Sequence, residues 1–156
     1  MKTMKKIISL LLVFAMLALP AMASREIKVM VDGRYIDFDV PPQVINSRTM
    51  VPVRAIFEEL GADVEWDNAT RTVIAMKDEV IITATIGEKK MYIDGKERVM
   101  DVAPTIVGGR TLVPARFVAE ALGCDVQWDG DEYLVEISTQ VFDLKTGSIE
   151  QIQGVE

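Results

Sequence analysis

Alternating apolar and polar residues divide this chain into short segments, and the same succession of segments comes round twice. Ile27 to Val31 has the alternation of a half-buried strand, Asp32-Gly33 is a hairpin turn signal, and Tyr35 to Val40 is the returning strand, ended by Pro41-Pro42. Gln43 to Arg48 reads as a loop. Pro52 then opens a short helix, since a missing N–H costs nothing in a first turn. Ala55, Ile56, Phe57 and Leu60 supply its buried face, and Arg54 and Glu58 stand four apart outside. Gly61 stops it, because a helix commonly ends in a left-handed residue. Asp63 to Asp67 alternates again and sends Val64 and Trp66 to one face, and Asp67-Asn68-Ala69-Thr70 turns the chain into a strand over Thr72 to Met76.

Strands at Val80 to Ile86 and Lys90 to Ile93, joined through Gly87 and Glu88, lead into the second round. There a strand over Val99 to Val102 precedes a helix over about Ala115 to Leu122, and a hairpin of Val126 to Trp128 with Tyr133 to Ser138 closes the pattern. The frame R-T-x-V-P-x-R-x-x-x-E-x-L-G-x-D-V-x-W-D begins at Arg48 and returns at Arg110, an offset of 62 residues. Beyond Asp129 the copies look slipped by one residue, with Val73-Ile74 matching Leu134-Val135, as a shortened turn would produce. The predicted fold is α+β, two tandem β-β-α-β-β repeats with antiparallel sheets each packed on a short helix. Copy one covers about residues 27–77 and copy two about 90–138, with Val80 to Ile86 as an added strand and 141–156 as a tail.

The first 23 residues stand apart from this pattern. Lys2, Lys5 and Lys6 precede the apolar run Ile7 to Leu19, and Ala21-Met22-Ala23 has the small-x-small form of a signal-peptide cleavage site. The run is shorter than the roughly 18 residues of a spanning helix. Export through a cleaved signal peptide is expected, giving a secreted or cell-envelope-associated chain without membrane insertion after cleavage. The whole chain carries a net charge of −7, and losing three Lys makes the mature form −10. Phosphate backbones repel such a chain, which argues against nucleic acid as a partner. Cys124 is the one cysteine, so no intrachain disulfide forms, and its place after a helix-ending Gly suits a small buried residue.

The paired V-P-x-R-x-x-x-E-x-L-G-x-x-V-x-W-D motifs carry a resemblance. With Ile93-Asp94-Gly95-Lys96, Val102-Ala103-Pro104 and Gly109-Arg110-Thr111-Leu112-Val113-Pro114, they resemble the copper amine oxidase N-terminal-like, or stalk, domain of exported bacterial proteins, over about Lys28 to Ser138. That resemblance implies an antiparallel sheet wrapped on a helix and an accessory domain lying apart from the oxidases' copper centre. It does not bring copper with it. The chain has no His, and acidic oxygens alone do not make such a redox site, so no cofactor is expected.

Candidate chemistry is sparse. Trp66 and Trp128 could offer sugar platforms, although their alternation with Val64 and Val126 favours each ring packing on its own helix. Asp63 with Asp67, and Asp125 with Asp129, could be imagined as glycosidase carboxylates, yet Asp at the start of a turn ordinarily holds nearby N–H groups. Asp129-Gly130-Asp131-Glu132 has the oxygen density of a calcium loop without its ligand register. Arg54 with Glu58, and Arg116 with Glu120, either bind an anionic ligand or simply pair, and an Arg that reaches loop carbonyls would better explain their recurrence; Gly108-Gly109 reads as a turn. No nucleophile signature is present. The expected function is therefore a non-enzymatic accessory, scaffold or binding module, with cell-wall glycan or another exported protein as partner. A glycan-acting hydrolase using the Asp pairs and a self-assembling structural protein are the alternatives.

Overall fold

The computed structural model describes residues 25–143 and 148–151. The predicted export segment and the end of the tail lie outside them. Strand β1 (Lys28–Val31) turns through Asp32 and Gly33, both at positive φ, into β2, which is only Arg34–Tyr35 and not the longer strand expected. The segment expected as a loop is a hairpin of β3 (Gln43–Ile45) and β4 (Arg48–Pro52), turning on Asn46 and Ser47 at φ 49 and 60. Helix α1 (Val53–Glu59) follows, then β5 (Asp63–Asp67), β6 (Thr72–Lys77) and β7 (Val80–Thr85). The second copy repeats the order: β8 (Lys90–Ile93), β9 (Lys96–Val99), β10 (Thr105–Val107), β11 (Arg110–Pro114), helix α2 (Ala115–Ala121), β12 (Asp125–Asp129) and β13 (Leu134–Ser138). Each copy is therefore β-β-β-β-α-β-β. Two strands more than predicted flank each turn at Asn46-Ser47 or Gly108-Gly109. Past the second copy, β14 (Gln140–Asp143) and β15 (Ser148–Gln151) pair with each other as a hairpin inside the expected tail.

Both helices end in the same way. The Gly61 N–H bonds to the Glu58 carbonyl and the Ala62 N–H to that of Phe57; Gly123 and Cys124 repeat this on Glu120 and Ala119. This is a Schellman ending, which satisfies carbonyls that a helix end leaves open. At the start, Pro52 and Pro114 occupy the capping position, with no side-chain cap.

The strands assemble across the repeat. β10-β11-β4-β3 form a central antiparallel sheet in which Val113 pairs with Val51, Leu112 with Pro52 and Pro114 with Met50. Val51 and Val113 are each other's counterpart at the 62-residue offset, so a pseudo-two-fold axis passes through that pair. The outer sheets exchange hairpins about it. β1 and β2 of the first copy join β12 and β13 of the second, and β8 and β9 of the second join β5, β6 and β7 of the first. In the first of these sheets β1 runs parallel to β13, Val29 beside Val135. The expected all-antiparallel sheets are corrected at this pairing. β7 explains the difference between the two sheets, since it lies between β6 and β8 and runs antiparallel to both.

The register also corrects the expected one-residue slip. Trp66 pairs with Val73 and Trp128 with Val135, and Arg71 and Tyr133 both sit at φ 54, so the offset of 62 holds to the end of the second copy. The apolar alternation of Val73 and Ala75 matches that of Val135 and Ile137, all four buried.

One core serves both copies. Val51, Ile56 and Phe57 of the first pack in the same cluster as Val113, Val118 and Ala119 of the second, with Val29, Val31, Ile82 and Met91 from the exchanged strands. A smaller cluster contains Met50, Leu112 and Val102, with Val40, Ile45 and Val107 against it. Each of its members has its counterpart in the other copy.

Candidate functional site: twin tryptophan grooves

Trp66 does not close the core. It is 36% exposed and Trp128 is 48% exposed, which overturns the expectation that each ring packs away on its helix. Strand β5 carries Val64 inward against the core and leaves Trp66, on the same face, at the wall of an open groove of about 830 Å³. The start of α1 (Val53, Arg54, Ala55) forms one side, the turn after β5 (Asn68, Arg71) another, and Ile106, Gly109 and Arg110 of the second copy the far side.

Trp128 stands in the equivalent groove, of about 400 Å³, beside Pro114, Ala115, Arg116 and Phe117, with Ser47, Arg48 and Thr49 contributed by the first copy. Phe117 in place of Ala55 fills part of this second groove. Tyr133, at the position of Arg71, meets the Trp128 ring edge-on at a centroid distance of 5.8 Å. Each groove thus spans the junction of the copies, and one ion pair crosses that junction at each. Arg48 Nε lies 2.7 Å from Asp101 Oδ2, and Arg110 pairs with Asp39 in the same way. These four residues repeat at the 62-residue offset and were visible among the identities between copies, but their role needed the exchanged topology to appear. The guanidinium beside each carboxyl holds Asp39 and Asp101 below the usual carboxylate range.

The model for the copper amine oxidase N-terminal domain matches residues 30–137. The chain belongs to that family. A Brevibacillus choshinensis protein described as a protease inhibitor is 28% identical over 130 residues, which cover 80% of this chain and 39% of that protein. The matched part is thus less than half of that relative. The chain has no His, the residue that holds copper in such a redox site, and among the described residues there is no group of three or more His, Cys, Asp or Glu that could hold a metal ion.

In this copper amine oxidase N-terminal domain, the other candidate residues make bonds within the fold. Asp67 accepts the Ala69 N–H at 2.9 Å and the Thr70 hydroxyl at 2.7 Å, while Asp129 accepts the Asp131 and Glu132 N–H groups at 2.9 and 3.1 Å. The Thr70 hydroxyl, with the Ala69 N–H, lowers the pKa of Asp67, the opposite of what a glycosidase acid requires. Asp63 and Asp125 lie exposed at the starts of β5 and β12. Arg54 donates to the Val64 carbonyl at 2.8 Å and pairs with Glu58 at 3.2 Å, so it does reach backbone as one reading of it required. Arg116 has a looser pairing with Glu120, 3.8 Å. Cys124 is buried, and burial pushes its thiol pKa up, away from the reactive thiolate.

Proposed function

We propose that this chain is a non-catalytic binding module that acts outside the cell membrane and holds a cell-wall glycan in its two tryptophan grooves. One observation carries the reading: an exposed indole recurs at the same place in both copies, beside a helix start and an inter-copy Arg–Asp pair. A fold needing Trp only for packing would bury it. An exposed indole face suits the C–H face of a sugar ring, and the surrounding Arg and Asn groups suit its hydroxyls. A glycan repeats its unit, so two sites on one chain gain by avidity. The basic-then-apolar N-terminal segment supports export.

The test is retention of residues 24–156 on purified cell wall and on oligosaccharide arrays. Trp66→Ala and Trp128→Ala should each weaken retention about tenfold or more through lost avidity, and the double variant should abolish it. Retention unaffected by the double variant would defeat the reading.

A protein occupant is the second reading, favoured by the relative described as a protease inhibitor. Titrating a protease panel with the chain tests it, and inhibition that disappears with the tryptophans would replace the glycan. Self-assembly through sheet edges has less support. The edge strand β9 reads Lys96-Glu97-Arg98-Val99, and the central sheet's edge strands β3 and β10 have three residues each, both ways of blunting an edge.

A further inference from the structure

The grooves share a backbone but differ in charge chemistry, and the difference is concentrated at one position. Arg71 and Tyr133 occupy the last residue of equivalent turns, both at φ 54. That conformation is uncommon for residues other than Gly, and here two unrelated side chains adopt it, so it belongs to the turn. The turn is firmly built: Asp67 holds its Ala69 and Thr70 members, and the Arg71 carbonyl accepts the Ile86 N–H at 3.0 Å. In the second copy, Tyr133 leans on Trp128, and the Arg25 guanidinium lies 5.3 Å over the Tyr133 ring. In the first copy, Arg71 is exposed beside Trp66 in the groove wall, and its guanidinium has no hydrogen bond or ion pair among the described residues. The other cations there are occupied, Arg54 by Glu58 and the Val64 carbonyl and Arg110 by Asp39. Glu65 alternates with Trp66 along β5 and so faces away from it, as Gln127 does beside Trp128, where it donates to Asp125 at 3.0 Å.

We propose that the first groove selects a carboxylate-bearing sugar, with Trp66 stacking on the ring and Arg71 pairing with the carboxylate. This rests on the glycan reading above. A guanidinium presents its donors as a planar fork that matches a carboxylate, a pairing stronger and more directional than bonds to hydroxyls. Because the chain is acidic overall, with a net charge of −7, general electrostatic attraction cannot hold an anionic glycan, so selection falls to this local cation. The second groove, smaller, lined by Phe117 and Trp128 and with Tyr133 against the Trp128 ring where the first copy has Arg71, takes neutral sugar.

Calorimetry on the Trp128→Ala chain isolates the first groove, with hexuronic-acid oligosaccharides and neutral N-acetylated oligosaccharides of equal length as probes. The acidic probe should bind about tenfold more tightly, the scale of one charge-assisted contact. Arg71→Gln should remove that preference and keep neutral-sugar affinity, Arg71→Lys should restore part of it, and adding Trp66→Ala should abolish both. Equal binding of the two probes, or a preference that survives Arg71→Gln, overturns the proposal while leaving the glycan reading intact. Binding of neither probe overturns both. An oligoglutamate peptide that binds at Trp66 when no sugar does would also overturn both and assign the groove to a protein.

Discussion

Gly108 shows how one residue can register a contact between distant parts of the chain. It opens the β10–β11 turn at φ 56, and a Cβ there would stand 2.9 Å from Val40 Cγ2. Its neighbour Gly109, at φ 77, has open space around the same atom. Gly108→Ala should therefore cost about 1–3 kcal/mol and Gly109→Ala only the backbone part of that, near 1 kcal/mol, as read from urea midpoints at constant slope. Equal losses would remove the Val40 contact as the cause. Charged residues make a second prediction. Asp39, Asp67 and Asp101 have pKa values lowered on folding, by Arg110, Thr70 and Arg48 respectively. A lowered folded pKa adds stability above the unfolded value, about 4, and that stability is lost as pH falls through the folded values. Melting temperature followed from pH 7 to pH 2 should hold down to about pH 4 and then fall. Asp39→Asn with Asp101→Asn should make the fall shallower, by a small amount because both ion pairs are exposed to solvent.

The elements differ in how plainly the sequence announced them. Both helices were legible because proline and glycine bracket each one: Pro52 and Gly61 around Val53–Glu59, Pro114 and Gly123 around Ala115–Ala121. The hairpin at Asp32-Gly33 was legible for a similar reason, whereas Asp94-Gly95 makes the same turn directly into β9 (Lys96–Val99), not into the strand expected over Val99 to Val102. The β3–β4 hairpin escaped because its first strand has three residues and its turn, Asn46-Ser47, lacks glycine, although Gly108-Gly109 marked the same turn in the second copy. Of the site, the tryptophans and Arg54 were visible, but their exposure was not, since strand alternation says which face a side chain takes and not how far the neighbouring element extends over it. Arg71 gave no local signal at all. At this scale the β4–β11 pair makes its own prediction. Val51 and Val113 face each other on the pseudo-two-fold axis, at 0% and 3% exposure. Val51→Ala and Val113→Ala should each cost about 2 kcal/mol, and the double variant should depart from their sum by about 0.5 kcal/mol or more because they are neighbours. Additive losses in a denaturation cycle would contradict direct packing across the axis.

For the whole molecule, the exchange of hairpins matters more than the repeat itself. No local pattern records that β1 will lie beside β13, more than a hundred residues away, because pairing of that range depends on the finished fold. It also makes the copies interdependent. Residues 25–78 alone would lack β8, β9 and the strands that cover β1, and would expose Val29, Val31 and Ile56, all buried in the whole chain. Either half expressed alone should give the circular dichroism and amide dispersion of an unfolded chain, and the two halves mixed should regain the native spectrum. A half that folds by itself would show that the exchanged strands are dispensable.

The axis through Val51 and Val113 has a consequence for heredity. A chain of one copy could satisfy the same β4-to-β4 pairing as a symmetric dimer, and then each of its two sites would be written by a single codon. Any change at the turn would alter both sites together, with no way to improve one and spare the other. Joined in one polypeptide, positions 71 and 133 are inherited separately, and they hold Arg and Tyr. A single polypeptide with this symmetry is free to differ between its two grooves.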